Sequence, residues 1–174
     1  MSIGFYVDES KVRGYTIVVA AVHSQHAVTL RKALIKLRMK GQRRIHFVDE
    51  SAQRRRMLLS AMTRLGCSVR IYRVHDTAEL RARELCLSAV INDMTALDAR
   101  RLILEQDESI IHHDRRVIRA ALIERGLHER VTYAHEAATN EPLLWISDAV
   151  AWSYGRGGEW QQRAAPMVLS LTDL

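Results

Sequence analysis

The chain has 174 residues and is 48% hydrophobic, with 26 Lys+Arg against 20 Asp+Glu. That length suits a single domain, residues 1–174, and that apolar share excludes intrinsic disorder. No window approaches the ~18 consecutive apolar residues of a membrane span. The opening MSIGFYVDES has no basic region and meets Asp8 and Glu9, so it reads as neither a signal nor a transit peptide. Cys67 and Cys86 are scattered, the pattern of reduced thiols in a cytoplasmic protein.

The net charge of +6 is unevenly spread. Residues 1–75 carry 15 basic and 4 acidic side chains, whereas residues 76–174 carry 11 and 16. One basic cluster holds Arg31, Lys32, Lys36, Arg38, Lys40, Arg43 and Arg44, and a second is Arg54, Arg55 and Arg56. Such an excess favours a polyanionic partner, because each neutralised phosphate releases counterions. A solvated basic face is the alternative.

In chain order, Ile3–Val7 and the β-branched run Tyr15–Val22 read as strands joined tightly at Gly14. Ser24 can cap a helix over about 26–39 with Ala27, Leu30, Leu34 and Leu37 inward. Arg44–Val48 reads as a short strand. Ser51 caps a second helix with Met57, Leu58, Ala61, Met62 and Leu65 inward and Gly66 as its stop. Ser68–Val74 is a third long strand. Thr77 opens a helix to about Leu97 that buries Leu80, Leu87, Ile91 and Met94. Arg101–Glu105 is an apolar strand ending in a carboxylate. A helix over 114–125 stops at Gly126, and Arg130–Ala134 is a short strand. A last helix runs from Pro142 to about Tyr154 and ends in Gly155–Gly158. Strands first, then alternation with helices, imply an α/β fold with a mixed sheet and antiparallel N-terminal strands.

Common catalytic motifs are absent: there is no Walker loop, nucleophile elbow, H-E-x-x-H or C-x-x-C. Gly155-Arg156-Gly157-Gly158 follows a helix and reads as a turn. His112 and His113 are neighbours that a helix would point apart. The stronger signal is acidic. Asp8 ends the strand IGFYV, Glu105 ends LIL and is followed by Asp107 and Glu108, and Asp148 is the only charge in Pro142–Tyr154. A lone carboxylate on an apolar helix face must be paired, protonated or metal-bound. An ion pair with an arginine, or a hydrogen bond to a helix N-terminus, would satisfy Asp148 alone. Taken together, two strand-end carboxylates and one on a packed helix can converge, and a divalent cation relieves their repulsion. Hard oxygen ligands select Mg²⁺ or Mn²⁺, the metals of two-metal phosphodiester chemistry.

Phe5-Tyr6-Val7-Asp8-Glu9-Ser10 and Leu143-Leu144-Trp145-Ile146-Ser147-Asp148-Ala149-Val150, with Ile45-His46-Phe47, Glu50 and Leu102–Glu105 between them, resemble a family. It is a domain-of-unknown-function group of ribonuclease H-like proteins that opens with a strand running into Asp-Glu-Ser and closes with a helix bearing an Asp. The resemblance implies a ribonuclease H-like fold: a five-stranded mixed sheet, first three strands antiparallel, flanked by helices. It implies Asp8 as the central metal ligand, Glu105 or Asp107 as the carboxylate near the fourth strand, and Asp148 as that of the last helix. Glu50 and Glu84 are both candidates for the family's helix-borne glutamate. His46 could orient a carboxylate or substrate, and Glu9 stands beside the central ligand. The sequence departs from the family at Lys11, where Gly is usual, and at Ser147, where Ala is usual; neither change removes a carboxylate. The expected function is a Mg²⁺- or Mn²⁺-dependent nuclease acting on nucleic acid. Alternatives are a non-catalytic module of that fold, binding nucleic acid or a protein, and a hydrolase of small phosphorylated substrates.

Overall fold

The computed structural model describes all residues, 1–174. Strands β1 (Ile3–Ser10) and β2 (Tyr15–His23) form an antiparallel hairpin in register from Ile3↔His23 to Ser10↔Thr16. Gly14 closes it at φ +90°, where a Cβ would lie 2.7 Å from the His75 ring and 2.9 Å from the Val74 carbonyl, so only glycine fits. Helix α1 (Ser24–Lys36) and helix α2 (Ala52–Arg64) precede β3 (Val69–Val74). Then follow α3 (Glu79–Ala96), β4 (Ala99–Glu105), α4 (Ile111–Glu124), β5 (Thr132–Glu136), α5 (Leu144–Arg156), α6 (Gly158–Ala164) and β6 (Val168–Asp173).

All six strands join one sheet in the order β5-β4-β1-β2-β3-β6. β1, β2 and β3 are antiparallel, while β4 runs parallel to β1, β5 to β4, and β6 to β3. The side-chain alternation of the strands feeds two cores. Tyr6, Val18, Ala20 and Ile71 pack with Leu34, Leu58, Met62, Trp145 and Val150 on the α1/α2/α5 side. Phe5, Val7, Ile17, Val19 and Leu104 pack with Leu87, Ile91, Met94 and Ile118 on the α3/α4 side.

Several expectations change. Residues 44–48 form no strand: the segment leads into a 3-10 turn at Phe47–Asp49 that buries Phe47 beneath α5. β1 continues to Ser10, so Asp8 lies within the strand and not at its end. Ser51 does cap α2, accepting from the Arg54 N–H at 3.1 Å, but Thr77 instead bonds the His75 carbonyl and α3 starts without a side-chain cap. Met57 and Leu65 are exposed because α2 is phased toward Leu58, Leu59 and Met62; Leu80, in the first turn of α3, is exposed too. α5 runs through Gly155 to Arg156, and Gly158 opens α6 instead of ending the helical region. The sheet gains a sixth strand, β6, whose leucines point outward, an inverted pattern that gives no strand signal. Cys67 and Cys86 are free and buried. No helix is long and apolar enough to cross a membrane.

Helix α5 is fixed across the sheet by Ser147. Its buried hydroxyl donates to the Tyr6 carbonyl at 2.6 Å and accepts the Ala20 N–H at 3.2 Å, tying the helix to β1 and β2 at once. Ser147→Ala removes the partner of two buried backbone groups, and a loss of about 1–3 kcal/mol is expected in chemical denaturation. An unchanged midpoint would mean that water or ladder bonds satisfy both groups.

Candidate functional site

The alternation of β1 decides the site. Phe5 and Val7 enter the α3/α4 core and Tyr6 the opposite one, so Asp8 emerges on the α5 side and Glu9 on the α3 side. The β1–β4 register ends at Val7↔Leu104, which sets Glu105 on the strand beside Asp8. Asp148 reaches the same place from α5, one turn beyond Leu144. Asp8, Glu105 and Asp107 line a cleft of about 380 Å³, together with Glu9, Glu108 and Arg83.

The carboxylates feel one another. Asp8 sits deep in the cleft while keeping some contact with solvent. Burial, reinforced by the charges of Asp148 and Glu105, holds it well above the usual carboxylate range, against the pull of the Glu9 N–H bonded at 2.7 Å. Burial likewise pushes Asp148 up to about 6, and Glu105 adds to the rise. The Phe47 N–H, donating to Asp148 Oδ2 at 2.8 Å, opposes it, as do the charges of His46 and Arg44. One oxygen of Asp148 therefore caps the 3-10 turn, which is the helix-N-terminus alternative raised by the sequence. Glu105 is bound by Arg44 Nη1 at 2.7 Å.

The remaining candidates divide. Asp107 caps its own loop, accepting from the Ser109 N–H and hydroxyl at 2.9 and 2.6 Å, and those bonds lower its pKa. Glu9 touches the cleft but is held from behind by Arg83 and Tyr15. Arg83 also makes two bonds to Asp114, at 2.5 and 2.7 Å, and Asp114 meets His135 at 3.0 Å. His46 is bonded to Asp49 at 2.8 Å. Glu50 is buried between Gln42 and Arg54, and Glu84 faces Arg81 and His113. Neither glutamate lines the cleft. Sequence reading missed Glu136: β5 runs two residues past Ala134, and its register sets Glu136 directly beside Glu105. The only signal for it was a carboxylate just beyond a short, weakly apolar strand.

The donor set is hard oxygen, and its mutual repulsion is what a divalent cation would relieve. In this arrangement no group of three His, Cys, Asp or Glu side chains comes together closely enough to hold a metal ion. The residue types fit such an ion; their present spacing does not yet enclose one.

No family model and no curated protein matches the chain significantly. Among solved structures, it is similar to RNase HII in the structure of the PCNA:RNase HII complex from Archaeoglobus fulgidus, with a TM-score of 0.55 over 90% of this chain and 72% of that one. The fold is ribonuclease H-like. Sequence identity is 19%, so the likeness carries the ribonuclease H-like architecture and nothing of its chemistry. Within that architecture β6 is an addition to the five-stranded sheet that the sequence resemblance implies.

The raised carboxylate of Asp148 has a consequence for stability. Between its ordinary 3.8 and about 6 the folded chain binds more protons than the unfolded one, so stability falls as pH rises through that window. In chelator, Asp148→Asn should remove Asp148's share of that fall, leaving the share of Asp8, and raise stability at pH 7 by about 1–3 kcal/mol. The amide oxygen can still accept the Phe47 N–H. Urea melts at pH 4 and pH 7 check this. A destabilised Asn variant would instead mark Asp148 as half of a required ion pair.

Proposed function

We propose that the chain is a divalent-cation-dependent nuclease belonging to the Asp-Glu-Ser group that its sequence resembles, with Asp8, Glu105 and Asp148 as its catalytic carboxylates. The observation that carries this reading is the convergence of those three groups at one end of the sheet, where burial, reinforced by neighbouring like charge, leaves Asp8 and Asp148 reluctant to ionise without a counter-charge. Asp8, Glu105 and Asp148 would hold Mg²⁺ or Mn²⁺, with Asp107 at the margin. Such an ion, when bound, supplies Lewis-acid activation and neutralises charge developing on phosphate oxygens. The chain's own part is positioning. Burial against β1 and the bond from the Phe47 N–H orient Asp148, and the Glu9 N–H orients Asp8. Arg44 neutralises Glu105 while the cation is absent, and would have to yield it on loading. Glu9, locked by Arg83, contributes charge at the cleft wall.

Asp8→Asn is expected to reduce Mn²⁺- or Mg²⁺-dependent digestion of labelled DNA and RNA by more than about 100-fold, beyond the 10–100-fold typical of losing an outer partner. The fold should stay intact by circular dichroism. Mn²⁺ should also raise the melting temperature of the wild type and not of Asp8→Asn, because binding to the native state stabilises it by mass action. Wild-type digestion rates in Asp8→Asn would overturn the assignment.

A second reading, a non-catalytic module binding nucleic acid or protein, is favoured by two observations: Arg44 already occupies Glu105, and no three carboxylates enclose an ion. The Archaeoglobus fulgidus protein is described in complex with PCNA, so a protein partner suits this second reading. Absence of any metal-induced stabilisation in the wild type would decide for it.

A further inference from the structure

Part of the basic excess of the N-terminal half is neutralised within the fold. Arg31 is paired with Glu141, Arg44 with Glu105, Arg54 with Glu50 and Arg56 with Glu159. Three of the arginines left without an ion pair, from separate parts of the chain, meet at one place. Arg13, Arg55 and Arg156 have no carboxylate within ion-pair distance, and all three line a single groove of about 720 Å³. Its other walls include Ser10, Trp152 and Trp160, and it contains no acidic side chain. Arg55 donates only to the neutral carbonyls of Phe47 and Val48 and lies 4.1 Å from the centre of the Trp152 ring. Trp152 and Trp160 meet edge to face at 5.5 Å, and both keep some exposure. The Arg13 guanidinium rests on Gly157: a Cβ there would lie 2.3 Å from Nη1, so glycine is what admits the side chain.

The groove lies next to Asp8 and Asp148 through three pairs of near neighbours. Ser10 follows Asp8 on the same face of β1, Trp152 follows Asp148 by one turn of α5, and Val48 follows the Phe47 that bonds Asp148. We infer that this groove binds a single-stranded nucleic acid, DNA or RNA, with phosphates on Arg13, Arg55 and Arg156 and an unpaired base against Trp152 or Trp160. Un-neutralised guanidinium groups interleaved with indole rings match a chain of phosphates carrying planar, π-faced bases. A duplex keeps those faces stacked inside and cannot use the tryptophans. The inference rests on the cleft being a phosphodiester site, for which the groove would guide the strand.

The test is binding by the wild-type chain in EDTA, where no cleavage intervenes. Fluorescein-labelled strands of roughly 12 nucleotides, within the 4–16 of comparable single-strand sites, serve as probes. They are DNA, RNA, the DNA duplex, and an abasic DNA strand of equal charge. Anisotropy should give at least one single strand binding about 10-fold tighter than both the duplex and the abasic strand, with quenching of tryptophan fluorescence. Arg13→Gln combined with Arg156→Gln, two exposed substitutions, should weaken that binding about 10-fold or more. The same pair should lower the salt slope by about 1.4, at ~0.7 per phosphate contact. Equal affinity for the abasic strand, duplex preferred over single strands, or a double variant that binds like wild type would each overturn the groove. Cleavage is a separate readout: a chain that binds as expected but digests nothing removes the nuclease and keeps the groove. One that digests nucleic acid with its binding indifferent to Arg13 and Arg156 does the reverse.

Discussion

The contact on which the rest depends is helix α5 lying on strand β1. Ser147 joins the helix to the Tyr6 carbonyl and the Ala20 N–H, and Gly155 lets the same helix close on β1, where a Cβ would press to 2.7 Å from the Ser10 hydroxyl. Those two points, two turns apart, leave α5 little freedom to rotate or slide. Asp148 follows Ser147 directly, so its approach to Asp8 is a consequence of backbone hydrogen bonding and close packing. The carboxylates repel, and they stay together because the apolar surface around them is already committed: Leu144, Trp145, Ile146, Ala149 and Val150 are all buried. The site is thus unfavourable locally and held by its surroundings.

Much of this was legible in the residues. Long strands with strong β-branched runs, such as Tyr15–His23, announced themselves, and a single aspartate in an otherwise apolar helix pointed to the site. What failed depended on tertiary context. Ile45 and Phe47 are buried and look like strand residues, yet they belong to a turn pinned under α5 because Asp148 accepts the Phe47 N–H. β6 is an edge strand with outward leucines, so its pairing with β3 had no local signature. Glu136 stands beside Glu105 only through the register of a strand whose end could not be placed from its own sequence.

Charge required the structure most. Counting basic residues suggested a broad polyanion-binding face across Arg31–Arg44 and Arg54–Arg56. In the fold Lys32, Lys36, Arg38, Lys40, Arg43 and Arg55 make no ion pair, but the other four guanidinium groups hold glutamates, as Arg31 holds Glu141 with two bonds of 2.8 Å. They act as cross-braces between α1, the loop before α5 and α2. Of the charges left over, Arg55, joined by Arg13 and Arg156 from outside the clusters, lies where two tryptophans stand. A cluster in sequence and a patch in space are different objects here.

The alternation of β1 carries one more consequence. Asp8 and Glu9 are chemically near-equivalent neighbours with opposite assignments: one faces α5 and Asp148, the other is clamped by Arg83 and Tyr15. A shift of the strand by one residue would exchange them, sending an acid into the arginine clamp on one side and an acid into the cleft on the other. By charge alone the slipped pairing would be almost as acceptable as the true one. The discrimination falls to the apolar neighbours, since the same slip would turn Phe5 and Val7 out of their core and Tyr6 out of its own. A one-residue insertion or deletion ahead of the acids in β1 would therefore scramble both faces of the sheet together.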